Sequence, residues 1–148
     1  MNVTGPDFAQ SAAEVLRDIP DAVVISDREG IIRFWNAGAE RVFGFAADEA
    51  LGQSLDIIIP ERLRRRHWDG YFAMIAAGRS THAADEVLSV PALHSQGRTL
   101  SVRFTVAPVM DASGVIAGVA AIMRDGTAAF EEMKRLRGLA RDRSTPGA

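Results

Sequence analysis

Ala22-Val23-Val24-Ile25-Ser26-Asp27-Arg28-Glu29-Gly30-Ile31-Ile32-Arg33-Phe34-Trp35-Asn36-Ala37-Gly38-Ala39-Glu40-Arg41-Val42-Phe43-Gly44 is the stretch on which the fold turns. Residues 22–26 and 31–35 are short β-rich runs, and the four residues between them end in glycine, the pattern of an antiparallel hairpin. Asn36 then stands where a helix N-cap belongs, and Gly44 where that short helix, residues 37–43, should stop.

Upstream, residues 8–19 place Phe8, Ala12, Val15, Leu16 and Ile19 on one helical face, with Asp7 as cap and Pro20 as terminator. Downstream, Asp48 is positioned to cap a further turn that Gly52 closes, and short helical turns at 55–59 lead to Pro60. Residues 61–77 then form the longest uninterrupted helix before the C-terminal one, stopped by Gly78. Three strand-like runs follow, at 85–93, 98–110 and 115–123, separated by glycine-containing turns at 94–97 and 111–114. They predict an antiparallel meander, and Pro91 puts the first of them at an edge or bend. From Thr127 the chain is helical again, with Phe130, Met133, Arg137 and Ala140 on one stripe and Leu136 and Leu139 beside it. The expectation is an α+β fold: a five-stranded antiparallel sheet with helices over one face, enclosing a space that side chains or a ligand must fill. Residues 1–19 read as an N-terminal flanking helix, 20–125 as the core, and 126–148 as a linker helix with a frayed tail over 143–148.

Composition narrows the function. The 148 residues are 47% hydrophobic and 24% charged, with a net charge of −2, so no global basic field draws the chain to nucleic acid or anionic lipid. The absence of cysteine removes disulfides, thiolate metal sites, cysteine nucleophiles and covalent thiol–flavin chemistry. No basic segment leads into an apolar run at the start, and no apolar run approaches the roughly eighteen residues of a membrane span. A cytoplasmic location without membrane contact is the expectation. No phosphate-binding glycine loop or serine elbow occurs, and Ser26–Asp27, Asp85–Glu86 and Glu131–Glu132 do not converge with a base, so no enzyme is expected.

The order of elements, together with several motifs, resembles the PAS sensory domain. Ile25-Ser26-Asp27-Arg28-Glu29-Gly30-Ile31-Ile32 is similar to that family's first hairpin, and residues 34–45 to its strand-to-helix signature. Glu49-Ala50-Leu51-Gly52-Gln53-Ser54 is similar to the turn that follows, and Met123-Arg124-Asp125-Gly126-Thr127 to the exit into the linker helix. The resemblance spans about residues 10–140 and implies a sensor whose flanking helices pass a change in the sheet to a partner. Members bind heme, flavin, small acids, other proteins or nothing, so the resemblance leaves the ligand open. It further implies a homodimer through the flanking helices, with output to a separate signalling protein or to an effector domain outside this chain.

Within the long helix, Leu63, His67, Tyr71 and Met74 share a face. Heme-binding PAS oxygen sensors carry their iron-ligating histidine on this helix, seven residues after such a proline, and Pro60 to His67 is that interval. The resemblance therefore implies heme b ligated by His67, with Leu63, Tyr71 and Met74 beside it; a neutral imidazole amid apolar walls suits heme iron. Two departures qualify the match. Tyr71 follows the histidine after four residues instead of three, and residues 85–93 hold no arginine, Leu88 standing near the place of the distal donor. A pocket without that donor favours nitric oxide, carbon monoxide or redox sensing over stable oxygen binding. Met110 or Met123 would be a sixth ligand in that scheme, although a methionine in an apolar strand is more often core.

Arg64 and Arg66 belong to a basic cluster that either pairs with heme propionates or forms a solvated helix face. The alternatives to heme are a ligand-free interaction module and a non-covalent flavin stacked on Trp35 or Trp68. Trp35 reads as structural, and Trp68 lies about 100° around the helix from His67. His82 and His94 read as surface histidines, and the three histidines have no zinc spacing.

Overall fold

The computed structural model describes residues 5–80, 82–83 and 85–144. The first four residues, and residues 145–148 of the expected frayed tail, lie outside the described residues, whereas residues 143 and 144 of that tail belong to the C-terminal helix. The chain runs α1 (Phe8–Asp18), β1 (Ala22–Asp27), β2 (Ile32–Trp35), α2 (Ala37–Phe43), α3 (Ala47–Ala50), a single 3₁₀ turn (Leu55–Ile58), α4 (Glu61–Ala77), β3 (Leu88–Leu93), β4 (Thr99–Met110), β5 (Ile116–Asp125) and α5 (Thr127–Ser144). The five strands form one antiparallel sheet in the order β2-β1-β5-β4-β3, as the hairpin and meander predict.

β3 is an edge strand, which is why Pro91, opposite Ser101, is tolerated there. That strand starts at Leu88 and not at residue 85, since Glu86 N–H donates to the Ala83 carbonyl and not to a neighbouring strand. Asp48 does not cap α3 but lies inside it; the N-cap is Ala46, and the Glu40 carboxylate accepts from Ala47 N–H at 2.8 Å from a distance in sequence. His94 is a further correction to the sequence reading. It is buried in the β3–β4 turn against Gly44, and its Nδ1 accepts from Gln96 N–H at 3.1 Å.

Strand register separates the two faces of the sheet. Ala22, Val24, Ser26, Val102, Phe104, Val106, Val119, Ala121 and Met123 point to one side, the side covered by α2, the 3₁₀ turn and α4. The larger core cluster sits under α2, where Phe43, Ile32, Leu100 and Val102 are fully buried. Its polar hub is Asn36, 1% exposed. The Asn36 carboxamide oxygen accepts from Val23 N–H at 2.8 Å and Ala39 N–H at 2.9 Å, while its amide group donates to the carbonyls of Leu16 and Asp21 at 2.8 and 2.9 Å. One side chain thus caps α2 and fastens both β1 and the end of α1. Gly38 follows because a Cβ there would stand 2.1 Å from the Asp21 carbonyl oxygen.

The flanking helices leave their apolar stripes in the open. Phe8 and Val15 of α1, and Phe130, Met133, Leu136 and Leu139 of α5, are exposed. α5 is nonetheless fixed at its root: Gly126 N–H donates to the Ser101 carbonyl at 2.7 Å, and Ser101 N–H to the Thr127 hydroxyl at 3.0 Å. Among the described residues, no helix is long and apolar enough to cross a membrane.

Candidate functional site

α4 positions the candidate residues. It starts after Pro60, carries Glu61 in its first turn where the helix dipole favours an anion, and stops at Gly78, whose φ of 69° supplies the left-handed C-cap. The corner before it is stitched by Arg64, which donates to the Ile59 carbonyl at 3.1 Å and the Asp56 carbonyl at 3.3 Å. Arg64 is therefore committed to the backbone of the 3₁₀ turn. Arg66, by contrast, is exposed and makes no hydrogen bond or ion pair among the described residues.

Of Leu63, His67, Tyr71 and Met74, which the spacing puts on one helix face, Tyr71 and Met74 pack on the sheet, and burial deepens along the helix. Leu63 and His67 are half-buried, whereas Tyr71 and Met74 are buried with Ile75 against Ile116 and Val119 of β5. Tyr71 donates its hydroxyl proton to the Asp27 carbonyl and accepts from the Ser26 hydroxyl at 2.9 Å, so this half of α4 is tied to the end of β1. Burial raises the Tyr71 pKa and keeps the phenol neutral.

His67 is in a different condition. Among the described residues its Nδ1 is sealed from solvent with no hydrogen-bond partner. Nε2 is not sealed and has no hydrogen bond to the described residues, so it is the nitrogen open to a ligand. Burial lowers the His67 pKa, partly offset by the Asp56 carboxylate, so the ring is held neutral, the form that ligates metal. The imidazole meets Trp68 edge-on, with centroids 4.7 Å apart, and Tyr71 at 5.8 Å. Trp68 does pack toward the same side: it joins the α4–β5 cluster, donates from Nε1 to Asp56 at 2.7 Å and lies so close over Gly30 that a Cβ there would overlap its ring. Trp35 is structural, buried and donating to the Phe45 carbonyl at 2.9 Å.

Leu88 is half-buried on the helix-covered side of the sheet, paired with Phe104. Its neighbour on that side, Val90, is 40% exposed although register turns it inward, and Phe104 and Val106 are only half-covered. α4 makes few close backbone approaches to any strand. The inner face is thus closed under α2 and half open toward β3, with an apolar wall. Two depressions, of about 440 and 400 Å3, lie on α5 and α1. Met123 belongs to the larger core cluster, and Met110 is exposed. Among the described residues there is no group of three or more histidine, cysteine, aspartate or glutamate side chains able to hold a metal ion; an iron here would depend on a single histidine and a porphyrin.

Sequence reasoning missed Asp56, the Ser26–Tyr71 bond and three of the four bonds of Asn36. Only the cap to Ala39 has a local signature; the others join residues 12 to 45 positions apart.

Comparison with known proteins places this geometry in a family. The PAS fold family model matches residues 12–126. The chain belongs to the PAS family. It is 40% identical over 68 residues to the sensor protein FixL of Bradyrhizobium diazoefficiens, spanning 46% of this chain and 13% of that protein. Among solved structures it is similar to the PAS domain of a protein from Colwellia psychrerythraea, with TM-score 0.71, 21% identity and coverage of 82% of this chain and 99% of that one. An RNA-binding light-oxygen-voltage receptor superposes with TM-score 0.73 at 19% identity, over 95% of this chain and 40% of the receptor. At these identities the structures speak for the fold. The chain covers only about an eighth of the curated relatives it matches.

Proposed function

We propose that this PAS domain is a sensory module that binds heme b through Nε2 of His67 and responds to a diatomic gas or to redox state. The observation that carries the reading is the geometry of the imidazole: half-buried on α4, with Nδ1 sealed and neither nitrogen hydrogen-bonded among the described residues, while burial lowers its pKa. A buried polar nitrogen without a partner is uncommon and marks a functional candidate. The half-open wall of Leu88, Val90, Phe104 and Val106 supports the same reading, since it offers apolar surface and no hydrogen-bond donor. Leu63 would flank the group, and Arg66, unlike Arg64, has no partner among the described residues and is open to a propionate. Heme contributes a redox-active iron with a spare axial position. The apolar wall would exclude water and leave an axial ligand without a donor, which suits carbon monoxide or nitric oxide better than oxygen. Similarity to a sensor protein supports a role in signalling.

A second reading, a ligand-free PAS domain for protein interaction and dimerisation, is favoured by the packing of Trp68, Tyr71, Met74 and Ile75 onto β5 and by the exposed stripes of α1 and α5. We propose that those stripes pair in a homodimer, which then passes the signal to a separate partner or effector domain. Flavin has less support: both tryptophans are engaged in structural contacts and no cysteine is available for an adduct.

Titration of the purified protein with hemin, followed by absorption, separates these readings. The heme reading expects an intense blue–violet band at one equivalent that His67→Ala removes. A protein that stays colourless leaves the interaction module, and a yellow, fluorescent preparation would favour flavin. Light scattering that gives a monomer mass across the accessible concentrations would refute the dimer.

A further inference from the structure

We propose that Asp56 is a positioning residue for His67, acting through Trp68. The proposal rests on the heme reading for its purpose, though not for its geometry. A metal-ligating histidine is usually oriented by its second ring nitrogen, which donates to a carboxylate or carbonyl. His67 has no such partner at Nδ1, so the orientation of its ring falls to the aromatic side chains around it. Of these, Trp68 is the nearer, its ring edge-on to the imidazole at 4.7 Å and 81°.

The indole is itself held from outside α4. Nε1 donates to the Asp56 carboxylate at 2.7 Å. The residue is held in turn: its backbone N–H donates to the Ser54 hydroxyl at 3.1 Å, its carbonyl accepts from Arg64 at 3.3 Å, and Arg64 stands 3.9 Å from the carboxylate oxygen that Trp68 uses. The far edge of the indole lies over Gly30, and Phe72 stacks on its face at 5.5 Å. The chain of contacts therefore runs from the 3₁₀ turn, through a hydrogen bond and an aromatic edge, to the imidazole.

The test compares wild type with Asp56→Ala, Asp56→Asn and Trp68→Phe, using hemin affinity, ferric EPR line width and, in the apoprotein, NOEs between the rings of residues 67 and 68. Asp56→Ala should weaken hemin binding roughly 10-fold and broaden the EPR signal, as expected for loss of an outer-shell partner. Asp56→Asn, whose amide oxygen still accepts, should restore most of the affinity. Trp68→Phe should cost about as much as Asp56→Ala, and the double substitution no more than either alone, because both break one chain of contacts. In the apoprotein, Asp56→Ala should weaken the His67–Trp68 NOEs while signals from α2 and β1 stay in place. Unchanged NOEs with unchanged hemin affinity, or additive losses in the double variant, would overturn the proposal. If wild type takes up no hemin, the heme reading fails by itself, and the apoprotein NOEs still decide whether Asp56 orders the ring.

Discussion

Asn36 and His67 are polar side chains on the same side of one sheet, and they are treated in opposite ways. Asn36 is sealed and makes four hydrogen bonds, so the half of the domain under α2 is locked. His67 is half-buried with one nitrogen sealed and unpaired, and the wall toward β3 leaves Val90 exposed. An unpaired buried donor or acceptor costs about 1–3 kcal/mol, so a fold retains one only where something else offsets the cost. The contrast sets α2 and β1, where the polar groups are satisfied, against α4 and the β3 side, where they are not, and the proposed site lies in the second half.

The sharpest way to break that contrast is to remove the hub. Asn36→Ala leaves Val23 and Ala39 N–H and the Leu16 and Asp21 carbonyls without their partner, and should lower unfolding free energy by about 3–5 kcal/mol in urea titration. A loss below about 1 kcal/mol would mean that the α2 half is not the rigid one. Tyr71→Phe cuts the tie between α4 and the end of β1 and should cost about 1–2 kcal/mol. Its effect should be confined to α4, with amide exchange there accelerated and exchange in α2 unaltered.

The smallest expected change has the opposite sign. His67→Leu replaces an unpaired buried nitrogen by apolar volume and should leave the apoprotein as stable as wild type or up to about 1 kcal/mol more stable at neutral pH. The same substitution has a pH signature. Burial lowers the folded pKa of His67 below its ordinary value of 6.5, so the unfolded chain binds the proton first. The stability contributed by the neutral ring is complete above that ordinary value. It declines as pH falls from there toward the folded pKa and is level below both. Wild-type apoprotein should therefore lose more stability than His67→Leu when urea midpoints are compared at about pH 7.5 and pH 5. Parallel losses would show that the ring is not desolvated.

Local chemistry made the fold legible. The Gly30 turn, the Asn36 cap, the Gly44 and Gly78 stops and Pro91 at a sheet edge are all short-range signals, and the structure places each where those signals put it. Two readings failed where a distant residue overrode a local one: Glu40 serves the start of α3 in place of Asp48, and docking of the β3–β4 turn on Gly44 buries His94. At the site, the helix face of Leu63, His67, Tyr71 and Met74 was readable from spacing alone. What spacing could not give was which of the four are tied down. Tyr71 is held by Ser26 and Asp27, and Trp68 by Asp56, across separations of 12 to 45 residues, whereas His67 is held by neither. The arginines divide on the same ground, Arg64 being engaged by backbone carbonyls and Arg66 remaining free.

Hydrogen–deuterium exchange with and without hemin tests the division of the domain most directly. The account predicts that one equivalent slows exchange in α4 and β3, that exchange in α2 and β1 stays as it was, and that His67→Ala abolishes the response. Protection that appears in α2 and β1 instead, or that survives His67→Ala, would contradict it.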